Sequence, residues 1–493
     1  MRQLHELVEG YPPSIDVPTE PIAEQVRAGG RVLVVLDDDP TGTQSVAGLP
    51  VITGWAVEDL TWGLNQGKPA VYVMTNSRSL DPADAARVNR EVVEAALAAS
   101  ELTSVPVGFV SRSDSTLRGH FPLEPDVISE VLRERRGESV DAYVVVPAFP
   151  DAGRLTVDGI HYAGSAETGF TPAAETEFAK DATFGYGSSD LREWVAEKTG
   201  GRIGADQVTV LTLDVLRSGP HGAAEVLRGA CRGDSGPGVV VVDCVDENDL
   251  RLLALGLEAA EGEGRRFVYR VGPPFTRARI GQDTRPPLTA EEIAAVRAAQ
   301  GRPSTAGDAV ASDGDDALGG LVVVGSHVAQ TTRQLDHLRA HRSPHEIEID
   351  VASVLDEAAR ERHLAAVVAD AVDALERGTV VVRTSRTLVR GADADASLAI
   401  ARRVSAAVIA VVAGILAARP PRFVVAKGGI TSSDVATHGL QIRHAEAVGS
   451  MLPGIISLWA PSDGPAAGIP YIVFPGNVGG DDSLTAVVDT LSR

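Results

Sequence analysis

The sequence is poor in three kinds of residue, and each scarcity narrows the class of protein. Only two cysteines, Cys231 and Cys244, occur among 493 residues and they form no C-x-x-C pair, so we expect a reducing, cytoplasmic environment. Aromatic residues make up 4% of the chain while alanine, valine and glycine are abundant, which is typical of α/β folds. Acidic residues outnumber basic residues, and the resulting formal net charge of -22 argues against a nucleic-acid partner. A small anionic ligand would therefore need a local cluster of arginines.

Long hydrophobic segments and metal-ligand spacings are also missing. The N-terminus, MRQLHELVEGYPPSIDVPTEP, has acidic residues and prolines where a signal peptide needs an apolar stretch. The longest apolar run, Val404 to Ala418, is shorter than the roughly 18 residues of a membrane span, so we predict a buried helix and no membrane partner. His438 and His444 are too far apart for the i, i+4 pair of a zinc helix. We therefore predict no protein metal centre.

Strand-like and helix-like segments alternate in two series. The first series includes RVLVVL, AVYVMT, PVGFVS and AYVVVPAF, and the second includes LVVVGS, TVVVRT, FVVAKGG and YIVFPGN. Residues 281–320 separate them and are rich in Pro, Gly, Ser and Asp, with one short helix predicted by a capping box of Thr289 and Glu292. The alternation predicts βα units and mostly parallel sheets.

We therefore predict an α/β protein of two domains, each with a mostly parallel sheet flanked by helices, and an active site in the cleft between them. The predicted boundaries are an N-terminal extension at 1–30, a first domain at 31–280, a linker at 281–320 and a second domain at 321–493. Ligands of such sheets bind beyond the carboxyl ends of the strands, where the polar turns lie.

Glycine-containing turns follow three strands of the second domain, which favours a polyphosphate site. They contain Gly325 and Ser326, then Gly428 to Asp434, then Gly476 to Gly480. Neither G-x-x-x-x-G-K-[ST] nor G-x-G-x-x-G occurs, so a tight turn with a serine or aspartate cap remains an alternative. Lys427 before the paired glycines is either phosphate-facing or only a local basic group.

Carboxylates and arginines follow the strands of the first domain. The segment DDDPTGTQ fits the D-x-D-x-T pattern of aspartyl-phosphate phosphatases, in which Asp37 would be the nucleophile. The segment SRSDSTLRGH carries two arginines and hydroxyls that suit a carboxylate or phosphate, with a capped helix start as the alternative. His161, in TVDGIHY, is predicted to be a packed or surface histidine rather than a ligand.

Six ordered segments resemble the motifs of the four-carbon acid sugar kinases: DDDPTGTQ, SRSDSTLRGH, PAFPDAGRLTVDGIHY, ETEFAKDATFGY, AKGGITSSDVAT and FPGNVGGDD. The resemblance spans about residues 31 to 484. It implies an N-terminal sugar-acid-binding domain, a C-terminal nucleotide-binding domain and ATP-dependent phosphorylation of a threonate-, erythronate- or 3-oxo-tetronate-like substrate. It implies Mg²⁺ carried with the nucleotide, and it is compatible with a homodimer.

The matching motifs imply a set of site residues. Those expected to bind the nucleotide are Ser326, Gly428, Gly429, Thr431, Ser432, Gly476, Asn477, Val478 and Gly479. Those expected to bind the sugar acid are Asp37, Thr41, Arg112, Ser115, Arg118 and Arg154, with Asp38 and Asp114 as candidate catalytic groups.

The sequence leaves three functions to weigh. The kinase is favoured, since a phosphatase using Asp37 would leave the second domain without a role, and a catalytically silent ligand-binding protein is the third possibility. For a kinase, Asp38 is our first choice of general base and Asp114 the second, because clustered carboxylates raise one another's pKa. Asp37 is assigned a supporting role.

Overall fold

The computed structural model describes residues 1–233, 236–302, 319–386, 389 and 394–493. The described chain divides into two compact units, Met1–Thr284 and Arg285–Arg493. Each unit contains a mostly parallel sheet flanked by helices, which confirms the predicted fold class.

The first unit contains a large parallel sheet and a small antiparallel one. Its strands are β1 (Val32–Asp37), β2 (Leu49–Ile52), β3 (Ala70–Met74), β4 (Val107–Arg112), β5 (Ala142–Val146), β6 (Arg154–Val157), β7 (Ile160–Ser165), β8 (Gly169–Pro172), β9 (Val208–Leu211), β10 (Gly238–Val242) and β11 (Phe267–Val271). The parallel sheet has the order β2-β3-β1-β4-β11-β5-β10-β9, and β6, β7 and β8 form the antiparallel sheet.

Helices cover the parallel sheet of the first unit, and its strands are buried, valine-rich runs because both faces are packed. The helices are α1 (Leu4–Leu7), α2 (Glu20–Gly29), α3 (Val57–Leu64), α4 (Pro82–Thr103), α5 (Leu123–Arg136), α6 (Leu191–Lys198), α7 (Leu213–Arg217), α8 (Pro220–Gly229), α9 (Glu247–Gly262) and α10 (Pro274–Arg279). The predicted N-terminal extension belongs to this unit, since Leu7, Val17 and Ile22 are buried in it.

The second unit has one sheet in the order β13-β14-β12-β15-β18-β17-β16, formed by β12 (Leu321–Val324), β13 (His345–Ile349), β14 (Val380–Thr384), β15 (Val424–Lys427), β16 (His444–Ser450), β17 (Ser457–Pro461) and β18 (Tyr471–Phe474). The first five strands in that order are parallel, whereas β17 runs antiparallel to both neighbours. The helices are α11 (Ala290–Ala298), α12 (Ala329–Arg342), α13 (Val351–Leu355), α14 (Glu357–Leu375), α15 (Ala394–Ala418), α16 (Gly429–Asp434) and α17 (Ser483–Leu491).

The segment predicted as a linker is partly structured. Helix α11 begins with the expected capping box, because the Thr289 hydroxyl accepts the Glu292 N–H at 3.3 Å and Glu292 Oε2 accepts the Thr289 N–H at 2.8 Å. Leu288 and Ile293 are buried in the core of the second unit, so residues 285–302 pack there instead of forming an exposed connection. Residues 303–318 of the predicted linker lie outside the described residues.

The apolar run from Val404 to Ala418 forms most of helix α15, but it is buried on one face only. The buried positions are Ala407, Val408, Val411, Val412, Ile415 and Leu416, at the spacing of one helix face. The window Ala399–Ala418 has a mean hydropathy of 1.9 and is 33% buried, and by length and composition it could cross a membrane. The predicted buried helix is therefore corrected to a half-buried one, whose inner face packs on α14 and on the π-helical turn Val435–Gly439.

Candidate functional site

Parallel pairing places the acidic turn after β1 beside the arginine that ends β4. Asp37 lies opposite Arg112 in the register of these strands, and both side chains are 2% exposed. The Arg112 guanidinium donates to the Asp37 carboxylate and to the Asp39 carbonyl. Burial raises the pKa of Asp37 to about 7 against the lowering effect of Arg112, with smaller contributions from the neighbouring aspartates.

A second arginine completes the acidic turn. Arg78 follows β3, and its Nε and Nη2 donate to the two oxygens of Asp38 at 3.0 and 2.6 Å. Its Nη1 lies 3.5 Å from Asp39 Oδ2. The Asp38 side chain is 1% exposed, so this planar two-point contact is largely shielded from water.

The close packing of the turn explains one of its glycines. A Cβ on Gly42 would overlap the Asp37 carboxylate and Arg112 Nε, so a larger residue there would displace the ion pair. Thr41 is also held within the turn, since its N–H and hydroxyl donate to Asp39 Oδ1 at 2.9 and 2.5 Å. The structure thus makes Thr41 and Arg112, both predicted to bind substrate, internal supports of the acidic turn.

The loop after β4 presents Asp114 and Arg118 together. Arg118 Nε donates to Asp114 Oδ2 at 2.7 Å, and the Thr116 hydroxyl donates to the same oxygen. Although burial alone would raise the pKa of Asp114, the nearby Arg78 and Arg118 and these hydrogen bonds hold it well below its usual range. Asp114 is therefore ionised throughout the neutral pH range.

Two half-buried arginines flank one aromatic ring beside this loop. The guanidinium carbons of Arg118 and Arg154 lie 5.6 and 5.5 Å from the centroid of the Phe178 ring. Arg118 is also 3.6 Å from Asp181, whereas Arg154 forms no ion pair with any described residue. Burial lowers the pKa of Arg154, with Asp114 as the opposing charge. Arg154 is thus a cation with capacity for an added anion.

His161 is a packed histidine, one of the two environments predicted for it. Its Nδ1 lies 2.9 Å from the Thr156 hydroxyl and its Nε2 lies 2.8 Å from the Ser115 carbonyl oxygen. Burial lowers the pKa of His161 to about 4, so the ring is neutral at physiological pH. It fixes the backbone at Ser115, another residue predicted to bind substrate.

Three glycine turns meet at the carboxyl ends of β12, β15 and β18. A Cβ on Gly428, which has a φ of +120°, would lie 3.2 Å from Ser326 Cβ, and one on Gly476 would lie 2.9 Å from Ser326 Oγ. The Thr331 hydroxyl is 3.2 Å from Ser326 Oγ and 3.0 Å from the Gly476 carbonyl oxygen. The predicted convergence of the turns is therefore observed.

The last turn is fastened to helix α12 by two glutamines. Gln334 Nε2 donates to the carbonyls of Val478 and Gly480 at 2.9 and 2.8 Å, and Gln330 Nε2 donates to the Gly479 carbonyl at 3.1 Å. Asn477 at the tip of the turn is exposed. These contacts use the carbonyls of the turn and leave Asn477 on its exposed side.

The middle turn enters a helix, as predicted. Helix α16 begins at Gly429 and is followed directly by the π-helical turn Val435–Gly439, and the Gly428 N–H before it donates to the Phe474 carbonyl at 2.8 Å. The Ser432 hydroxyl donates to the Ala426 carbonyl at 2.8 Å and its side chain is fully buried. Ser432 therefore stabilises the turn from within, while Gly429 and Thr431 are partly exposed on its outer side.

Lys427 is a local group rather than an exposed phosphate contact. Its Nζ donates to the Pro475 carbonyl at 2.6 Å and lies 3.8 Å from the centroid of the Phe474 ring. The side chain is fully buried, and burial lowers its pKa to about 7. Lys427 thus joins the end of β15 to the Gly476 turn.

A cavity of about 400 Å³ opens beside the turns. Its wall includes Gly325, Thr384, Val404, Val408, Thr431 and Asp434, so helix α15 supplies an apolar side and the turns supply a polar one. Arg386, which the sequence reasoning missed, donates to the Ser326 carbonyl and, at 2.6 Å, to the Thr332 hydroxyl. A mostly apolar cleft with a few polar groups is the usual form of a small-molecule site.

Other site residues were missed in the first unit, namely Arg78, Phe178 and Asp181. Arg78 had a usable signal, since it follows an apolar strand in TNSRSL and β3 is the neighbour of β1. Phe178 and Asp181 lie in ETEFAKDATFGY, one of the six segments that resemble family motifs, but no periodicity there indicates which of its side chains reach the site. Within the described ranges, no group of three or more histidine, cysteine or acidic side chains could hold a metal ion.

The fold and the two clusters define a two-domain α/β protein with one charge-rich site and one glycine-rich site. Residues 33–279 match the sugar-binding N-terminal domain and residues 321–484 match the nucleotide-binding C-terminal domain. The chain belongs to the four-carbon acid sugar kinase family, as its motifs predicted.

Three sugar acid kinases are moderately similar in sequence to this chain. A D-threonate kinase of Bordetella bronchiseptica is 37% identical over 161 residues, 31% of this chain and 36% of that relative. A D-erythronate kinase of Heliobacterium modesticaldum is 29% identical over 252 residues, 50% and 52% of the two chains. A D-threonate kinase of Salmonella typhimurium is 28% identical over 360 residues, 72% of each. The matches thus span about a third, half and three quarters of these relatives.

Solved structures share the fold. A Salmonella typhimurium protein described as a putative tRNA synthase has a TM-score of 0.65 at 17% identity, over 93% of this chain and 98% of that one. A Haemophilus influenzae protein has a TM-score of 0.59 at 18% identity, over 93% and 100%. Identities at this level show the fold alone.

Proposed function

We propose that the protein is an ATP-dependent kinase that phosphorylates a four-carbon sugar acid of the threonate, erythronate or 3-oxo-tetronate type. The observation that carries the proposal is Arg154, a half-buried cation without an ion pair among the described residues, close to Arg118 and Asp114. In a chain with a net charge of -22, such a cation is suited to the carboxylate of a small acid. The names of the three kinase relatives support a sugar acid kinase.

The neighbouring carboxylates fit the remainder of a tetronic acid. Asp114 and Asp38 are acceptor-only groups when ionised, so they suit the hydroxyl groups of a sugar chain. The Ser115 hydroxyl is both a donor and an acceptor at the same loop. A ligand with one carboxylate and several hydroxyls therefore matches this mixture of arginines and aspartates better than an inorganic anion does.

The second unit is proposed to bind ATP. The glycine turns allow close approach of a polyphosphate, and the apolar cavity beside them suits a purine base. The contacts are assigned to Ser326, Gly429 and Thr431, and to the outer side of the turn from Gly476 to Gly479. ATP supplies the phosphoryl group, and Mg²⁺ accompanies it to neutralise charge.

Asp38 is proposed as the general base, with Asp114 as the second choice. Asp38 is fixed by two hydrogen bonds from Arg78, which orient the carboxylate. Asp37 is held by Arg112, which also donates to the Asp39 carbonyl, so Asp37 is assigned the support of the turn. The ion pair also argues against Asp37 as a phosphatase nucleophile, because the carboxylate could not reach a phosphorus atom without breaking it.

The test is turnover of ATP with a panel of tetronic acids. We expect ADP to form only when D-threonate, D-erythronate or a 3-oxo-tetronate is present, together with a phosphorylated acid detected by mass spectrometry. An Arg154→Met variant should lose turnover, and Arg87→Met, which changes an exposed arginine of α4, is the matched control. Phosphate release without nucleotide would instead identify a phosphatase, and ligand-induced thermal stabilisation without turnover would identify a binding protein.

A further inference from the structure

Three buried side chains hold carbonyl oxygens of the loop that follows β4. The contacts join His161 to Ser115, Tyr186 to Thr116 and Arg270 to Arg118, at 2.8, 2.9 and 3.0 Å. The three side chains come from separate parts of the first unit. The backbone of the loop is therefore fixed at three carbonyl oxygens by buried side chains, and the loop carries Asp114 and Arg118.

The carbonyl that Arg270 holds lies at the most strained part of the loop. The residues on either side of Arg118 have positive φ angles, +70° at Leu117 and +116° at Gly119. A leucine rarely adopts this conformation, so the surrounding contacts must maintain it. A Cβ on Gly119 would lie 3.2 Å from Asp38 Oδ2, which shows how closely the turn approaches the acidic site.

Arg270 differs from the other two supports because it is charged. It lies on β11, opposite Ser111 of β4, and its side chain is 1% exposed. Its guanidinium carbon is 5.4 Å from the centroid of the Trp194 ring, and Nε and Nη1 are buried without a hydrogen-bond partner. No described carboxylate forms an ion pair with it.

Two of the three carboxylates that face this cation belong to the site, and the third is Glu124 of α5. Burial lowers the pKa of Arg270 to about 10, against the opposing effect of Asp114, Asp38 and Glu124, so it is positively charged at neutral pH. A buried cation without a direct partner is costly, and its cost is reduced here by the field of carboxylates that the site requires.

We propose that Arg270 is a positioning residue for the sugar-acid site, holding the Leu117–Gly119 turn so that Asp114 and Arg118 meet the ligand in a fixed geometry. The ligand assignment rests on the proposed function, whereas the effect on the loop does not. Arg270 acts through the Arg118 carbonyl and has no contact with the reacting atoms.

The test compares Arg270→Met, Arg270→Lys and Tyr186→Phe. Methionine removes the hydrogen bond and the charge, lysine keeps both in a less rigid form, and Tyr186→Phe removes an uncharged bond to the same loop. We expect Arg270→Met to raise KM for the sugar acid by about tenfold or more, with KM for ATP unchanged within about twofold. Arg270→Lys should recover most of the loss, and Tyr186→Phe should have the smallest effect.

Hydrogen exchange of the ligand-free protein tests the loop separately from activity. Amides of residues 114–120 should exchange faster in Arg270→Met than in Arg270→Lys or the unchanged protein. An unchanged KM for the acid and unchanged exchange in Arg270→Met would overturn the proposal, as would an equal rise in KM for ATP.

If the methionine variant does not fold, Arg270→Gln replaces it, and equal KM values for Gln and Lys variants would overturn the role of the charge. A wild-type protein that phosphorylates no sugar acid refutes the proposed function, and hydrogen exchange then decides the positioning role alone.

Discussion

The two units build their sites from different materials. The first unit uses ionised side chains, with Asp38 paired to Arg78 and Asp114 paired to Arg118 at distances of 2.6 to 3.0 Å. The second uses backbone turns at positions where a side chain would be strained and crowded, as at Gly428. Side-chain recognition distinguishes one small acid from another by its hydroxyl pattern, whereas backbone recognition accepts a phosphate chain common to many reactions. Selectivity should therefore reside in the first unit.

The largest difference between the two sites is expected from Asp38→Asn, which should affect turnover but not nucleotide binding. Asparagine keeps the size of the side chain but removes its basicity and half of the contact with Arg78, so kcat should fall by about 10²-fold or more. Nucleotide affinity, measured by calorimetry, should stay unchanged. Asp84→Asn, an exposed change on α4, is the control. Normal turnover by Asp38→Asn, with Asp114→Asn inactive, would exchange the two roles.

A smaller loss is expected from Arg118→Lys. The charge is kept, but an ammonium group cannot replace the planar guanidinium, which contacts Asp114 through Nε and has further donors for the proposed two-point contact with the acid. We expect kcat/KM for the sugar acid to fall. The decrease should correspond to a loss of about 1 to 3 kcal/mol in transition-state stabilisation. Steady-state kinetics of the two substrates measure it, and wild-type values would show that Arg118 forms no two-point contact with the acid.

Gly428→Val tests the glycine-rich site of the second unit. Valine would be strained at a φ of +120° and would press on Ser326, so nucleotide affinity should fall by about tenfold while sugar-acid affinity is kept. Gly464→Val places the same side chain at another positive φ, +73°, and controls for strain alone. Equal nucleotide affinity in the two variants would remove the Gly428 turn from the site.

The smallest effect concerns the pH dependence of stability through Lys427. Because its folded-state pKa of about 7 lies below the ordinary lysine value of 10.5, the unfolded chain binds more protons between these two values. The contribution of Lys427 to the free energy of unfolding therefore rises as pH increases from about 7 to 10. Lys427→Met should flatten this rise in urea titrations at several pH values, and an unchanged slope would show that the lysine is not neutralised on folding.

The sequence was most informative where regular structure and site chemistry coincide. The strand series predicted the sheets, and the ends of β1 and β4 carried Asp37 and Arg112 to one edge. The sequence was less informative about side-chain orientation, since Ser432 and Lys427 lie in the predicted turn but their side chains are buried. Arg270 shows the general reason: it lies within an apolar strand, FVYRV, and only the packed structure reveals which loop its guanidinium supports.

The balance of charge in the first unit also affects how fast a ligand arrives. Asp37, Asp38, Asp39 and Asp114 are matched locally by Arg78, Arg112, Arg118 and Arg154, so the site attracts an anion over a short range only. At longer range an approaching acid meets a molecule with a net charge of -22. Dissolved salt screens that repulsion beyond a Debye length of about 8 Å at physiological ionic strength. Moderate salt should therefore speed the capture of an anionic substrate, the reverse of the behaviour of sites that steer anions electrostatically.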